Sequence, residues 1–571
     1  MHKKFLISLS LVLAAFFMPN LATAIPLQDG QIVRAGISNN NFKEYYFSQT
    51  SVSATEKFSL VDKTTGNLIG EFAANENIKI EIKDNLFFVF DDTKEIASSL
   101  VGPVVVASKD GFVTITGLKR AGKPAYYRGV LEITKAPAKN NLFNVINVLD
   151  LESYLRGVVP NEMPVKFGHE ALKAQAVLAR NYVLKPRDKK YHNFDVCDSV
   201  ACQVYYGANT EKPEADKAIK ETENIVALYD GELILALYSS TSGGYTENYE
   251  NAFSTDSISG ARLFPGVPLP YLKGVPDNPK IKPLDDEKLA REFYSSQPET
   301  FDNASPYFRW TKEWTVTELE DVLRKTLKTQ AATGFVKPKA TNYDDLKNIK
   351  EIKVTKRGVS GKAMSVDIIT EKGLYRVQKE LPIRRTFQKN NIGLPSANVF
   401  FEIKEEKISG KTQDCETTNE DATVKKVYAY GGGFGHGVGM SQWGAGEMGR
   451  QGYKFDDIIK HYFKDIAIAT YPIVLSHQDG VDTVSQDFYT TRKYAYLVLD
   501  NKFQNTTFTI VMNGVELRMD AVPSLFKPER IDFSEYLVKG QNKITFVLPY
   551  SEVGKKPIKL YLELKEEKDE Q

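Results

Sequence analysis

The stretch YLRGVVPNEMPVKFGHEALKAQAVLARNYVL, residues 154 to 184, fixes the reading of this chain. It sets one carboxylate, Glu162, in an apolar turn bracketed by Pro160 and Pro164, with Val158, Val159 and Met163 around it. Desolvation disfavours the charged form of a carboxylate, so such a Glu keeps its proton toward neutral pH. A protonated carboxyl is the group that can protonate the leaving oxygen of a glycosidic bond. The plain alternative is that Glu162 serves the dipole of the helix that follows. That helix carries Ala171, Ala174, Leu178 and Tyr182 at helical spacing, which predicts one buried face, with Lys173 and Arg180 seven residues apart on the other.

A second stretch, GGGFGHGVGMSQWGA at 431 to 445, lies far away in sequence. Its glycines let the backbone turn tightly and approach a ligand closely. It lacks the Gly-Lys-Ser/Thr ending of a phosphate loop, which argues against a nucleotide. The two stretches together, in this order, resemble the stage II sporulation protein D family. SPYFRW (305 to 310), the Ser360-Gly361 turn and IRRTF (383 to 387) have counterparts there as well, so that the resemblance runs from about residue 30 to about 470.

Members of that family cleave bacterial cell-wall glycan or help to cleave it. The resemblance implies a peptidoglycan lytic transglycosylase with Glu162 as general acid and then base, and no cofactor is needed for that chemistry. It places Lys173, Gln175 and Arg180 beside Glu162. His436, Ser441 and Gln442 of the glycine-rich stretch, with Ser240, Ser242 and Gly243 of the Ser239–Gly244 loop, complete the expected substrate-binding set. His436 has three open roles: orienting Glu162, binding a sugar hydroxyl, or bracing its loop. Glu152 and Glu170 are competing acids with ordinary explanations, Glu170 by pairing with Lys173 at i,i+3. The rival reading is a wall-binding protein that stimulates an N-acetylmuramoyl-L-alanine amidase, since some relatives are amidase enhancers. A cell-wall amidase is then the expected partner.

The ends and the charge narrow the setting. Residues 1 to 24 read as a signal peptide: Lys3 and Lys4, an apolar core LISLSLVLAAFF, and a small-residue site Ala22-Thr23-Ala24. No later run is long and apolar enough to span a bilayer. The expected location is outside the cytoplasm, in the periplasm or at the cell wall. The chain has 74 basic and 73 acidic residues, a formal charge of +1, which gives no electrostatic reason to expect nucleic acid. Its 29 Tyr and 32 Phe suit ring stacking on sugars, although most such side chains serve cores.

The organisation reads as α+β: a β-rich, multi-lobed core with a helix carrying the Glu162 motif, plus a C-terminal β-sandwich-like module. Residues 25–145 form its N-terminal β-rich part, with strands in VRAGIS, KIEIK, LFFVFD, VVVAS and GFVTITG. Residues 146–475 form the catalytic core with an inserted lobe at about 274–424, which holds the helix VTELEDVLRKTL and the strands EIKVTKR and AMSVDIIT. GELILALY, from 231, reads as a strand running into the Ser239–Gly244 loop. Residues 478–571 are the module, with AYLVLD, NKITFVLPY and TFTIVMNGVEL, the last turning at Asn-Gly.

Cys197 and Cys202 follow His192 closely, and Cys415 is distant. In an exported protein two close cysteines pair as a disulfide. With His192 they are also three potential ligands of a structural zinc, which the family resemblance supports, and both readings stand at this stage. A serine hydrolase lacks its Gly-x-Ser-x-Gly elbow. In HEALK (169 to 173) Lys173 stands where a zinc protease needs its second His.

Overall fold

The computed structural model describes residues 31–185, 191–257, 260, 262–407, 423–476, 483–502, 505–522, 524, 527–549 and 556–568. The expected signal peptide and Cys415 lie outside the described residues. The chain is α+β, with strands predominating, and it divides into two compact units. One comprises residues 1–161 with 187–211, the other residues 162–186 with 212–571.

The first unit is built from two sheets. The larger runs, in spatial order, Val196–Cys197, Ile32–Ile37, Phe143–Asp150, Val130–Lys135, Val104–Ser108, Phe58–Asp62 and Leu68–Phe72. The second runs Lys123–Tyr127, Val113–Arg120, Gln49–Ala54, Ile78–Lys83, Leu86–Asp91 and Lys94–Leu100. Alternation dictates these strands: in Ile78–Lys83, Ile78, Ile80 and Ile82 are buried while the residues between them are not. Phe87 of one sheet meets Phe143 of the other, with ring centres 5.9 Å apart. Cys197 and Cys202 are joined in a disulfide, with Cα atoms 5.5 Å apart. Next to it the buried Asp198 accepts hydrogen bonds from the Ser38 hydroxyl and the Arg120 guanidinium.

The second unit begins with the helix His169–Leu184. Every residue from Ala171 to Asn181 in it is buried, so the face that carries Lys173 and Arg180 is enclosed as well as the apolar one. A sheet of Ile225–Tyr229, Ala467–Thr470, Ile558–Lys565, Tyr494–Asp500 and Glu529–Asp532 runs from this core into the C-terminal strands. A four-stranded sheet of Thr483–Thr490, Gly540–Val547, Thr506–Met512 and Val515–Ala521 follows. Its hairpin turns at Asn513-Gly514, both at positive φ, as an Asn-Gly turn between twisted strands requires.

Between residues 310 and 431, the helix Val316–Ala331 packs on two further sheets through Leu319, Leu323 and Leu327. Thr315 caps that helix by accepting from the Glu318 amide. GELILALY departs from the expected strand. Only Glu232–Leu233 and Tyr238–Ser239 are paired. Between them Ile234 N–H still donates to the Ala227 carbonyl, Leu235 N–H donates to the Tyr271 hydroxyl, and the Leu237 carbonyl accepts from Met440 N–H.

Candidate functional site

Glu162 ends a one-turn helix, Val159–Glu162, and is half-buried. Its backbone carbonyl accepts a 2.8 Å hydrogen bond from Gln442 Nε2. The same amide nitrogen donates to Gln175 Oε1 at 3.1 Å. One side chain of the glycine-rich stretch therefore ties the Glu162 turn to the helix that follows it. Around this link Phe167 meets Trp443 with ring centres 5.0 Å apart, and Glu170 accepts from the Phe455 backbone N–H.

Gln442 opens the helix Gln442–Arg450, which Ser441 caps by accepting from the Gly444 amide. Gly444 has no substitute here, because a Cβ on it would stand 2.1 Å from the Tyr462 hydroxyl. That close approach fixes where the helix starts, and so where Gln442 points.

Ser242, Gly243 and Ser441 converge on a residue that sequence reasoning missed. Asp302 Oδ2 accepts from the Ser242 hydroxyl at 2.8 Å, the Gly243 amide at 2.8 Å and the Ser441 hydroxyl at 3.3 Å. Burial, reinforced by the neighbouring Asp277 carboxylate, pushes Asp302 up to about 6. Asp277 is itself buried, with His461 Nε2 3.7 Å from its Oδ1. In the sequence Asp302 sits in TFDNASPYF, which reads as an ordinary turn. Glu247 was also missed: fully buried, it accepts from the backbone N–H groups of Asn248, Val359 and Ser360 and from the Ser360 hydroxyl.

The other predicted residues are placed as follows. Ser240 is half-buried, and its carbonyl accepts from the Trp443 backbone N–H. Lys173 is buried and bonded to Glu221 at 2.6 Å, with Glu170 at 3.7 Å. Arg180, fully buried, donates to the Ile225 carbonyl. His436 Nδ1 accepts the Val438 backbone N–H at 3.1 Å, which leaves the ring proton on Nε2. His436 is half-buried as a residue, and burial of the ring pushes it down to about 4, so it is neutral at neutral pH. Beside it the buried Lys362 donates to Asn398 Oδ1 at 2.6 Å.

The expected zinc ligands behave differently from a metal set. His192 is exposed, and the sulfurs of Cys197 and Cys202 are bonded to each other. A thiolate is what zinc takes, so these residues as arranged do not fit the ion. No group of three or more His, Cys, Asp or Glu residues that could hold a metal occurs among the described residues.

Residues 139–229, which include the Glu162 turn and the helix His169–Leu184, match the Stage II sporulation protein family model. Residues 259–439 match a domain of unknown function, DUF8618. The chain is 28% identical over 380 residues to an uncharacterized protein of Brachyspira hyodysenteriae, covering 64% of this chain and 77% of that one. It is 29% identical over 339 residues to stage II sporulation protein D of Bacillus amyloliquefaciens, covering 56% and 74%. An amidase enhancer of Bacillus subtilis is 29% identical over 321 residues, covering 56% of this chain and 40% of that protein. The resemblance to the stage II sporulation protein D family drawn from the two motifs therefore holds.

Proposed function

We propose that this chain is an exported lytic transglycosylase that cuts the MurNAc–GlcNAc glycan strands of peptidoglycan. The observation that carries this reading is the Gln442 side chain, which bonds the Glu162 carbonyl and Gln175 together. A carboxyl held by its backbone to a buried frame is preorganised for proton transfer. In the proposed step the Glu162 carboxyl gives its proton to the bridging oxygen as the C1–O bond breaks. The carboxylate so formed takes the proton of the MurNAc C6 hydroxyl while that oxygen bonds to C1. The product is a 1,6-anhydro-MurNAc end, no water is consumed, and Glu162 regains its proton. One carboxyl suffices, whereas hydrolysis of the same bond needs two.

Export rests on residues 1–24. Among the described residues no helix is long and apolar enough to cross a membrane. The C-terminal strands are read with it as a β-sandwich-like module. A second reading, a wall-binding activator of an amidase, is favoured by the Bacillus subtilis relative named amidase enhancer.

Mass spectrometry of the products separates the two. The protein without residues 1–24, and its Glu162→Gln form, are incubated with intact sacculi and with peptide-free glycan strands. Anhydro-MurNAc ends made only by the unsubstituted protein support the transglycosylase. Reducing ends instead mean that water attacks and that a second carboxylate takes part. Retention on sacculi with no cleavage, together with faster release of peptide by an added amidase, moves the activator reading to first place.

A further inference from the structure

Phe434 is the one residue with a side chain among residues 431 to 435, and its ring stands in solvent at 39% exposure. Its backbone is fixed on both sides. Phe434 N–H donates to the Thr241 carbonyl at 2.8 Å, and its carbonyl accepts from Thr241 N–H at 3.2 Å. Gly433 and Gly435 flank it at positive φ, where a Cβ on either would come within 2.8 Å of Thr241 or Ser239. The loop thus lies flat on the Ser239–Ser242 segment, and the Phe434 ring is turned outward.

Beside it stands Tyr307, 41% exposed, with ring centres 4.5 Å apart and planes inclined at 40°. Tyr307 is pinned to the same loop, because its carbonyl accepts from Gly433 N–H at 2.8 Å. Two aromatic rings held rigidly in water gain little from burial and lose little entropy when a ligand covers them. The ring faces are electron-rich, and the C–H bonds on one face of a pyranose are polarised positively, so a sugar ring stacks on them. The half-buried Ser240 hydroxyl, 3.4 Å from Thr241 Oγ1, supplies a polar group next to the bridge that carries Phe434. Strand pairing of Tyr238–Ser239 with Met440–Ser441 carries the same loop to Gln442, which holds the Glu162 carbonyl.

We propose that Phe434 and Tyr307 form a stacking platform for a sugar ring of the glycan strand, linked through the Ser239–Ser441 pairing and Gln442 to the Glu162 turn. This inference rests on the function proposed above and adds to it the residues that hold substrate away from the reacting bond.

The test is calorimetric binding of a purified GlcNAc–MurNAc tetrasaccharide and of peptide-free glycan strands. All proteins carry Glu162→Gln so that the ligand stays intact. Phe434→Ala and Tyr307→Ala are each expected to weaken binding about tenfold, since base stacking on an aromatic has that order of effect. Phe434→Trp retains affinity within about threefold, and thermal midpoints stay unchanged because the backbone bonds remain. Equal affinity in the Ala variants and the parent overturns the platform while the glycan reading stands. Loss of affinity equal in Phe434→Trp and Phe434→Ala also overturns it, since a flat ring is then not what matters. No glycan binding by the parent overturns both readings.

Discussion

Gln442 Nε2 donates to the backbone carbonyl of Glu162 at 2.8 Å, across 280 residues of sequence. The bond acts on the Glu162 backbone and not on its carboxyl. Gln442→Leu removes it and leaves both the carbonyl and Gln175 Oε1 without that donor. Such unsatisfied buried groups cost about 1–3 kcal/mol each. We expect the variant to fold with a lowered thermal midpoint and to lose glycan cleavage about 10- to 100-fold, mainly in kcat, because the acid is displaced. An unaltered kcat with a lowered midpoint would make Gln442 a packing residue only.

Asp302 gives the second unit a pH dependence of definite sign. Its ordinary value is 3.8 and its folded value about 6. Between the two, the folded state keeps a proton that the unfolded chain has released. Stability from this group therefore falls as pH rises from about 4 to about 6 and is level above that, by at most roughly 3 kcal/mol. Asp302→Asn cannot ionise, and its amide oxygen can still accept from Ser242 and Gly243. The variant should match the parent in thermal midpoint near pH 4 and exceed it above pH 7. A constant difference across that range would contradict the assignment.

The extent to which the site was legible follows from which interactions are local. Strands such as Ile78–Lys83 announce themselves by alternation, and the helix His169–Leu184 by its apolar spacing. The Asn513-Gly514 hairpin is likewise a local matter of φ. Asp302 was not legible, because its partners Ser242 and Ser441 lie 60 and 139 residues away. Its own neighbourhood, rich in Asn, Ser and Pro, looks like a solvated turn. Nothing local in the sequence joins Ser242 to Ser441, whose hydroxyl also accepts from the Ser242 backbone N–H, so no signal pointed to Asp302. GELILALY was misread for a related reason: apolar content predicts burial, but not whether a neighbouring strand is there to pair. Helical spacing shows that Lys173 and Arg180 share a face, but not that a carboxylate and a carbonyl from elsewhere, those of Glu221 and Ile225, will enclose them.

The Cys197–Cys202 pair is expected to be oxidised in the exported protein. A loop this short contributes about 2 kcal/mol by restricting the unfolded chain. Cys197→Ser with Cys202→Ser should lower stability by about that amount without abolishing glycan cleavage. Intact mass before and after reduction reads the bond directly, and elemental analysis of the oxidised protein should find no stoichiometric zinc. Zinc at one per chain with free thiols would overturn the disulfide.

His436 is the sharpest electrostatic prediction, because its surroundings favour one protonation state. A histidine that binds or releases a proton in catalysis works near its ordinary 6.5. This ring is held by Val438 N–H at Nδ1, and burial takes it to about 4. On acidification the unfolded chain takes up a proton at about 6.5, well before the folded state does. The stabilisation from a neutral His436 is thus complete above about 6.5 and is lost progressively as pH falls toward 4. Selective 15N-histidine labelling, with His436→Gln to assign the signal, measures this in solution. The His436 resonances should show an unprotonated Nδ1 and hold steady from pH 8 to about 5. A midpoint near 6.5 would contradict the buried, neutral ring. A steady signal means that whatever His436 does in the loop between Phe434 and Gln442 it does as a neutral imidazole, able to donate from Nε2.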